Sequence, residues 1–240
     1  MKILALDTST EYCSVALSLA GNITEHCTLA GQKHSEILIE MLDVLLKEAG
    51  CKIQDMDGIA YGSGPGSFTG VRIACGVTQG LALGVNLPVA GVCTLLALAE
   101  GADGNRVIAA LDARMGEIYC AAYERSVPGG DWITVFEPCL CKPEEAPSVQ
   151  GEGWFGAGSG FYAFTDALQS RYANQLSGMD GAAIPQAAAI AALGAVQFGR
   201  GLGKDVASAQ PFYLRNKVAL KTAEREQIAI DKALINISCV

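Results

Sequence analysis

Histidine is nearly missing. The 240-residue chain holds two, His26 and His34, and the position one helical turn beyond His34 is Leu38, so the two-histidine helical metal face is excluded. No Ser-His-Asp or Cys-His catalytic set can be assembled without choosing its other members arbitrarily. Positive charge is short as well: Lys+Arg 17 against Asp+Glu 25 gives a net charge of −8. That argues against a large basic face for holding nucleic acid, although a local basic patch is compatible with the sum. The Gly-Lys-Ser/Thr ending of a phosphate-binding P-loop does not occur beside the densest glycine run.

Charge of either sign is thin, at 18% of residues against about 25% in ordinary domains. With 50% of its residues hydrophobic, the chain is too apolar to stay disordered. No charge occurs from Ile73 to Ala99, but Gln79, Asn86-Leu87-Pro88 and repeated glycines divide that run into helix, strand and helix rather than a membrane span. Met1 to Leu6 meet an acid at Asp7 before the apolar stretch of an export signal is complete. The nine cysteines are odd in number, scattered and mostly inside apolar runs. They read as buried thiols in a reducing cytoplasm. Only Cys139 and Cys141 stand close, and a C-x-C without a second pair is an incomplete metal motif.

What is present begins with a repeat. The apolar run from Ile3, the polar cluster Asp7-Thr8-Ser9-Thr10 and the alternating Cys13 to Leu19 read as a β-hairpin, with Gly21-Asn22 turning the chain into a third strand, Ile23 to Leu29. A similar pattern returns at Val107 to Leu111, then Asp112 to Glu117, then Ile118 to Tyr123 and Trp132 to Phe136. Leu6-Asp7 and Leu111-Asp112 lie 105 residues apart, which suggests two lobes of related topology. A helix from Ser35 to Ala49, a strand at Gly58–Tyr61, a helix from Phe68 to Gly84, a strand at Pro88–Val92 and a helix from Thr94 follow in the first half. The second half continues with Trp154-Phe155, a helix toward Arg171 and an Ala-rich helix from Gln186 to Phe198. The order βββαβαβα, used twice, is that of the two-lobed actin-like α/β fold. Residues 1–105 form an N-terminal lobe, 106–215 a C-terminal lobe and 216–240 a tail. Whether the tail packs back on the first lobe is open; Thr222 to Lys232 has helical character and Ala233–Val240 is an apolar end.

Gly62-Ser-Gly-Pro-Gly-Ser-Phe-Thr-Gly70 satisfies no nucleotide fingerprint, because Gly62-x-Gly64 lacks its third glycine at Ser67. Gly64 and Gly66 can take positive φ around Pro65, and Ser67 or Thr69 can cap the following helix. Such a terminus suits an anion; the alternative is a tight turn that closes on itself. Asp7 at a strand end likewise has two readings. It can orient a metal-bound or attacking water, or accept hydrogen bonds from the backbone of its own turn.

The first helix carries one polar stripe, Glu36, Glu40, Asp43 and Lys47. Ile37, Leu38, Ile39, Met41, Leu42, Val44, Leu45 and Leu46 cover the rest, whereas a surface helix needs an apolar arc of only about 100°. On the second helix Arg72, Gly76, Gly80 and Gly84 recur every four residues. Each interior glycine costs about 1 kcal/mol relative to alanine, so the row points to another backbone coming close. The two helices together suit an interface hiding about 800 Å² per partner, and Ile39, Met41, Leu46, Arg72, Gly76 and Gly80 are its candidate residues. The competing reading covers both helices with the remainder of this chain.

Five separated motifs then carry a resemblance: Ile3-Leu-Ala-Leu-Asp7-Thr-Ser-Thr, His34-Ser-Glu, Gly64-Pro65-Gly66-Ser67-Phe68-Thr69-Gly70-Val-Arg72, Leu111-Asp-Ala-Arg-Met-Gly-Glu117 and Pro211-x-Tyr213-Leu-Arg215. In order and spacing they resemble the bacterial TsaB (YeaZ) family over residues 1 to about 219. The resemblance implies an actin-like fold that does not itself catalyse. Such proteins act as a scaffolding subunit of the complex that places threonylcarbamoyl on N6 of the adenosine next to the anticodon. It implies partnership with a TsaD-type catalytic subunit and a TsaE-type ATPase, a homodimer when alone, tRNA contact only through the complex, and no membrane. No cofactor or metal of its own is expected, with ATP and divalent metal on the partner subunits. In the related subunit a helical His-x-x-x-His holds the metal, and Leu38 stands at the position of its second histidine. The partner surface of the family matches helices 35–49 and 68–84. Two other readings remain: a small-molecule kinase or ATPase using Asp7 and the Gly64–Gly66 loop, and a metallopeptidase, for which no catalytic set is present.

Overall fold

A computed structural model describes residues 1–215. The expected helix at Thr222–Lys232 and the apolar end Ala233–Val240 lie outside the described residues. The chain opens with three antiparallel strands, β1 (Lys2–Asp7), β2 (Tyr12–Leu19) and β3 (Asn22–Leu29). The turn between β2 and β3 is Ala20-Gly21, both with positive φ (52° and 92°), as a two-residue hairpin of matching twist requires. The turn therefore sits one residue earlier than the sequence suggests, and Asn22 pairs with Leu19. Then come α1 (His34–Glu48), β4 (Gly58–Gly64), α2 (Phe68–Val85), β5 (Val89–Cys93) and α3 (Thr94–Gly101). The sheet order is β3-β2-β1-β4-β5, with β4 parallel to both neighbours. β1 and β4 are buried almost throughout, which explains why they read as unbroken apolar runs rather than alternating ones.

The second half repeats this plan as β6 (Arg106–Asp112), β7 (Ile118–Glu124), β8 (Ile133–Cys141), β9 (Trp154–Ala157), α4 (Ser159–Ala163), α5 (Thr165–Arg171), β10 (Leu176–Asp180) and α6 (Ala187–Gly199). Its sheet runs β10-β9-β6-β7-β8. The helix that follows the strand triplet in the first lobe is here a single 3-10 turn, Pro143–Glu145. Pro143, Pro147, Gly151 and Gly153 break this segment, and neither residue type sustains a helix interior. The helix read toward Arg171 is split at Phe164, whose φ of −132° leaves the helical region.

α1 and α2 cover one face of the first sheet, where Leu38, Leu42, Leu45, Ala74 and Ala82 pack on Leu4, Leu6, Val15, Leu17 and Ile59. The other face is covered from the second half of the chain: Ala187, Ile190 and Ala191 of α6 pack on Ile3, Ala5, Ala16 and Ala60. A β-carbon at Gly194 would stand 2.5 Å from that of Ala60, so this glycine sets how closely α6 approaches. The amides of Ala187 and Ala188 at the start of α6 donate to Ser14 Oγ (2.7 Å) and to the Glu25 carboxylate (2.9 Å). α3 makes the reciprocal crossing, with Leu95, Leu98 and Ala99 against Val107, Ala109, Leu111 and Tyr123. Each lobe thus lends one helix to the core of the other.

α2 alone among the described residues is long and apolar enough to cross a membrane. In the fold it lies along the sheet with Val71, Ala74, Cys75, Thr78 and Ala82 buried.

Candidate functional site

Two loops carrying the sequence motifs close against each other. Asp7 ends β1 and is 1% exposed. Its Oδ1 accepts from the Ser9 amide (3.0 Å) and the Ser9 hydroxyl (2.8 Å); its Oδ2 has no hydrogen-bond partner among the described residues. Burial pushes the carboxyl up to about 6, against the lowering effect of the two Ser9 bonds. Of the two readings open for Asp7, the geometry matches the self-contained turn. Gly62 crosses directly over this carboxyl, where a β-carbon would fall 1.8 Å from Oδ2.

The glycine loop is similarly closed. Ser67 Oγ accepts from the Gly70 amide at the start of α2, and the Ser67 amide donates to the Ser9 carbonyl. Thr8 donates its hydroxyl to the Gly70 carbonyl, and the Pro65 carbonyl accepts from Thr94. A β-carbon at Gly66 or Gly70 would collide with the carbonyls of Ser9 or Thr8. Pro65, Gly66, Ser67 and Gly70 therefore lock this loop onto its neighbours, whereas Gly64 lies against the Phe212 carbonyl, Thr69 is exposed, and Phe68 starts the helix whose outer face matters next. His34 is buried at the start of α1, with Nε2 3.2 Å from the Tyr12 carbonyl, and Leu38 is fully buried in the core.

The outward side of α1 and α2 is different. Gly76, Gly80 and Gly84 are exposed, and a β-carbon at any of them would meet nothing within 4 Å. The close backbone neighbour that this row implies is not supplied by the described residues of the chain. Leu83, beside the row, is 73% exposed, and Ile39 on α1 is 52% exposed. Arg72 is exposed too. Met41 and Leu46 are placed differently, half-buried against the core of the first lobe together with Ile37. Much of the apolar arc that the sequence suggests is surplus is consumed there, because these side chains flank the buried Leu38, Leu42 and Leu45 and pack on the same core.

A strap after α6 joins the lobes. Lys204 bridges to Val89, the Phe212 amide donates to the Ser63 carbonyl (2.6 Å), and Tyr61 and Gln79 bond to the backbone at Gln210 and Ala209. Tyr213 receives a hydrogen bond from Arg72 Nε (2.6 Å), while the Arg72 guanidinium stacks 3.6 Å from the Phe68 ring centroid. Arg215 reaches the second lobe, pairing with Glu117 at 2.7 Å and donating to the Ala113 carbonyl. The strap thus links the glycine loop and helix α2 to the Leu111–Glu117 turn. In that turn Arg114, Met115 and Gly116 all have positive φ, and Met115 is 66% exposed. Two consecutive non-glycine residues in this region store strain. Sequence marks Arg72 as an interface candidate and Phe68 as a motif residue, but not their stack on Tyr213 nor the exposed turn at Arg114–Gly116; the signal for both was the density of motif positions at 64–72, 111–117 and 211–215.

With this geometry in view, the comparisons with known proteins are specific. Residues 25–230 match the family model described as TsaD: tRNA N6-adenosine threonylcarbamoyltransferase. Two crossed lobes of the βββαβαβα plan, matched to that model, define the class as a two-lobed, actin-like α/β protein. The tRNA threonylcarbamoyladenosine biosynthesis protein TsaB of Escherichia coli is 40% identical over 230 residues, covering 92% of this chain and 97% of that protein. The protein of the same name in Haemophilus influenzae is 37% identical over 235 residues, covering 92% and 96%. The solved structure of YeaZ from Pseudomonas aeruginosa superposes with a TM-score of 0.82 at 37% identity, covering 89% of this chain and 99% of that one. The chain belongs to the TsaB family.

Proposed function

We propose that the chain is a non-catalytic scaffolding subunit in tRNA threonylcarbamoyladenosine biosynthesis, and that the outer face of α1 and α2 docks a TsaD-type catalytic subunit. Family membership supports the pathway. The observation that carries the docking role is the open row Gly76, Gly80 and Gly84 beside the exposed Leu83. Interior glycines destabilise a helix, and a partner backbone seated along the row gives them a use. Arg72 borders the row, held by Phe68 and Tyr213, and Ile39 extends the apolar area onto α1. The same face serves a homodimer when the catalytic subunit is absent. A TsaE-type ATPase completes the complex, ATP and divalent metal belong to the partner subunits, tRNA is reached through the assembly, and the work is cytoplasmic.

A small-molecule kinase or ATPase built on Asp7 needs that carboxylate to reach a ligand, yet it is sealed by Gly62 and occupied by Ser9. The deciding experiment is co-purification with the TsaD-type subunit followed by a tRNA modification assay with each component omitted in turn. Modification is expected only when this chain and its catalytic partner are both present, and Leu83→Glu should remove it together with co-purification. Transfer by the catalytic partner alone at an undiminished rate, or tight Mg-ATP binding by this chain alone in calorimetry, overturns the reading.

A further inference from the structure

Sequence spacing leaves Cys139-x-Cys141 as half a motif; the fold supplies the missing member. In the β7–β8 ladder Cys120 lies directly opposite Cys139, and Ile118 opposite Cys141. Residues opposite each other, and residues two apart on one strand, share a sheet face, so all three thiols converge. The register breaks on the far side of Cys120, where Pro138 stands in β8; proline cannot donate to a ladder and is found at such bulges. Cys120 Sγ is 3.5 Å from Cys139 Sγ and 3.6 Å from Cys141 Sγ. All three sulfurs lie within 4.8 Å of one another.

We propose that Cys120, Cys139 and Cys141 form a site for one thiophilic cation of the Zn²⁺ class, held by three thiolates with a fourth position open at the sheet edge. Zinc–sulfur bonds of about 2.3 Å in a tetrahedron place the sulfurs about 3.8 Å apart, close to the spacing found. β8 is the edge strand of its sheet, and Cys139 and Cys141 are half-buried while Cys120 is fully buried, so the ion has an entry path and a dry floor. That floor is apolar, since Cys120 packs in one cluster with Ile118, Ala146, Trp154 and Tyr172. The Tyr172 hydroxyl is committed to the Pro147 carbonyl at 2.8 Å. Soft sulfur donors in such a setting select soft cations over Mg²⁺ or Ca²⁺. Hydrogen bonds from Cys120 and then Cys141 hold the Cys139 thiol well below the usual cysteine range, and donating to Cys139 pushes Cys120 up. The thiol protons leave to solvent as the sulfurs bind the ion.

The test uses the full chain, reduced and stripped with a chelator, and titrated with Zn²⁺ and then with Cd²⁺ as the spectroscopic probe. Uptake of one ion per chain, release of protons as the thiols bind and a cadmium–thiolate charge-transfer absorption are expected. Cys139→Ser and Cys141→Ser, both at the rim where the fold is least disturbed, should each weaken binding at least ten-fold. Cys27→Ser, on the other lobe, should bind like the parent. Absence of stoichiometric uptake, or uptake unchanged in both rim variants, overturns the proposal. So does a Cys120–Cys139 disulfide that persists in the reductant and blocks the ion.

Discussion

Replacing Asp7 with asparagine should flatten the dependence of folding stability on pH. The native carboxyl is raised to about 6 by burial, whereas the unfolded chain restores the ordinary value near 3.9. Between these values the unfolded state gives up its proton and the folded state keeps one, so stability falls as pH rises through this window and levels off above it. The full penalty is about 3 kcal/mol, roughly half of it incurred between pH 5 and pH 7.5. Asparagine cannot ionise, and its Oδ1 can still accept both Ser9 bonds. Its amide nitrogen, however, takes the place of the unpartnered Oδ2, and a buried donor left unpaired costs about 1–3 kcal/mol. The two effects offset at neutral pH, so the absolute stability there is a poor readout and the slope is the useful one. The gap between the denaturant midpoints of parent and Asp7→Asn, measured from pH 4 to pH 8, should close steadily up to about pH 6 and stay nearly constant beyond it. Parallel curves across the entire range would refute the sealed, uncompensated carboxyl. Because the residue is assigned no chemistry, the variant should still support tRNA modification when its partners are added.

The glycine row makes a prediction of opposite signs. Gly76→Ala combined with Gly80→Ala should stabilise the isolated chain by about 1 kcal/mol per site in denaturant melts, since nothing obstructs the added methyls and alanine favours the helix. The same change should weaken association with the catalytic partner in a pull-down. Ile39→Glu and Leu83→Glu, both on exposed positions, should shift unfolding by no more than about 0.5 kcal/mol yet abolish co-elution on a sizing column. Leu46→Glu should instead destabilise the chain itself, because Leu46 packs on the core. Gly194→Leu should force α6 away from Ala60, lowering stability by about 3 kcal/mol as over-packing does. Thermal melts of that variant should show one weakened cooperative transition, since α6 ties the second lobe to the first.

How much of this was legible in sequence depends on the range of the interaction involved. The strand triplets, the helices at His34–Glu48 and Phe68–Val85 and the repeat between Leu6-Asp7 and Leu111-Asp112 follow from local periodicity and turn chemistry. The absence of a helical histidine pair at His34 and Leu38 follows from spacing alone, as does the glycine row. Tertiary structure was needed wherever two segments distant in the chain had to be brought to one place. Periodicity marks Met41 and Leu46 as apolar but cannot say that they pack against the first-lobe core; only packing separated them from Ile39 and Leu83. The exchange of α3 and α6 between sheets is likewise silent in sequence, because both helices are apolar nearly all round and accept either cover. Asp7 has two chemical readings until Ser9 and Gly62 are seen closing on it, and Cys120 joins Cys139 and Cys141 only through the register of two strands.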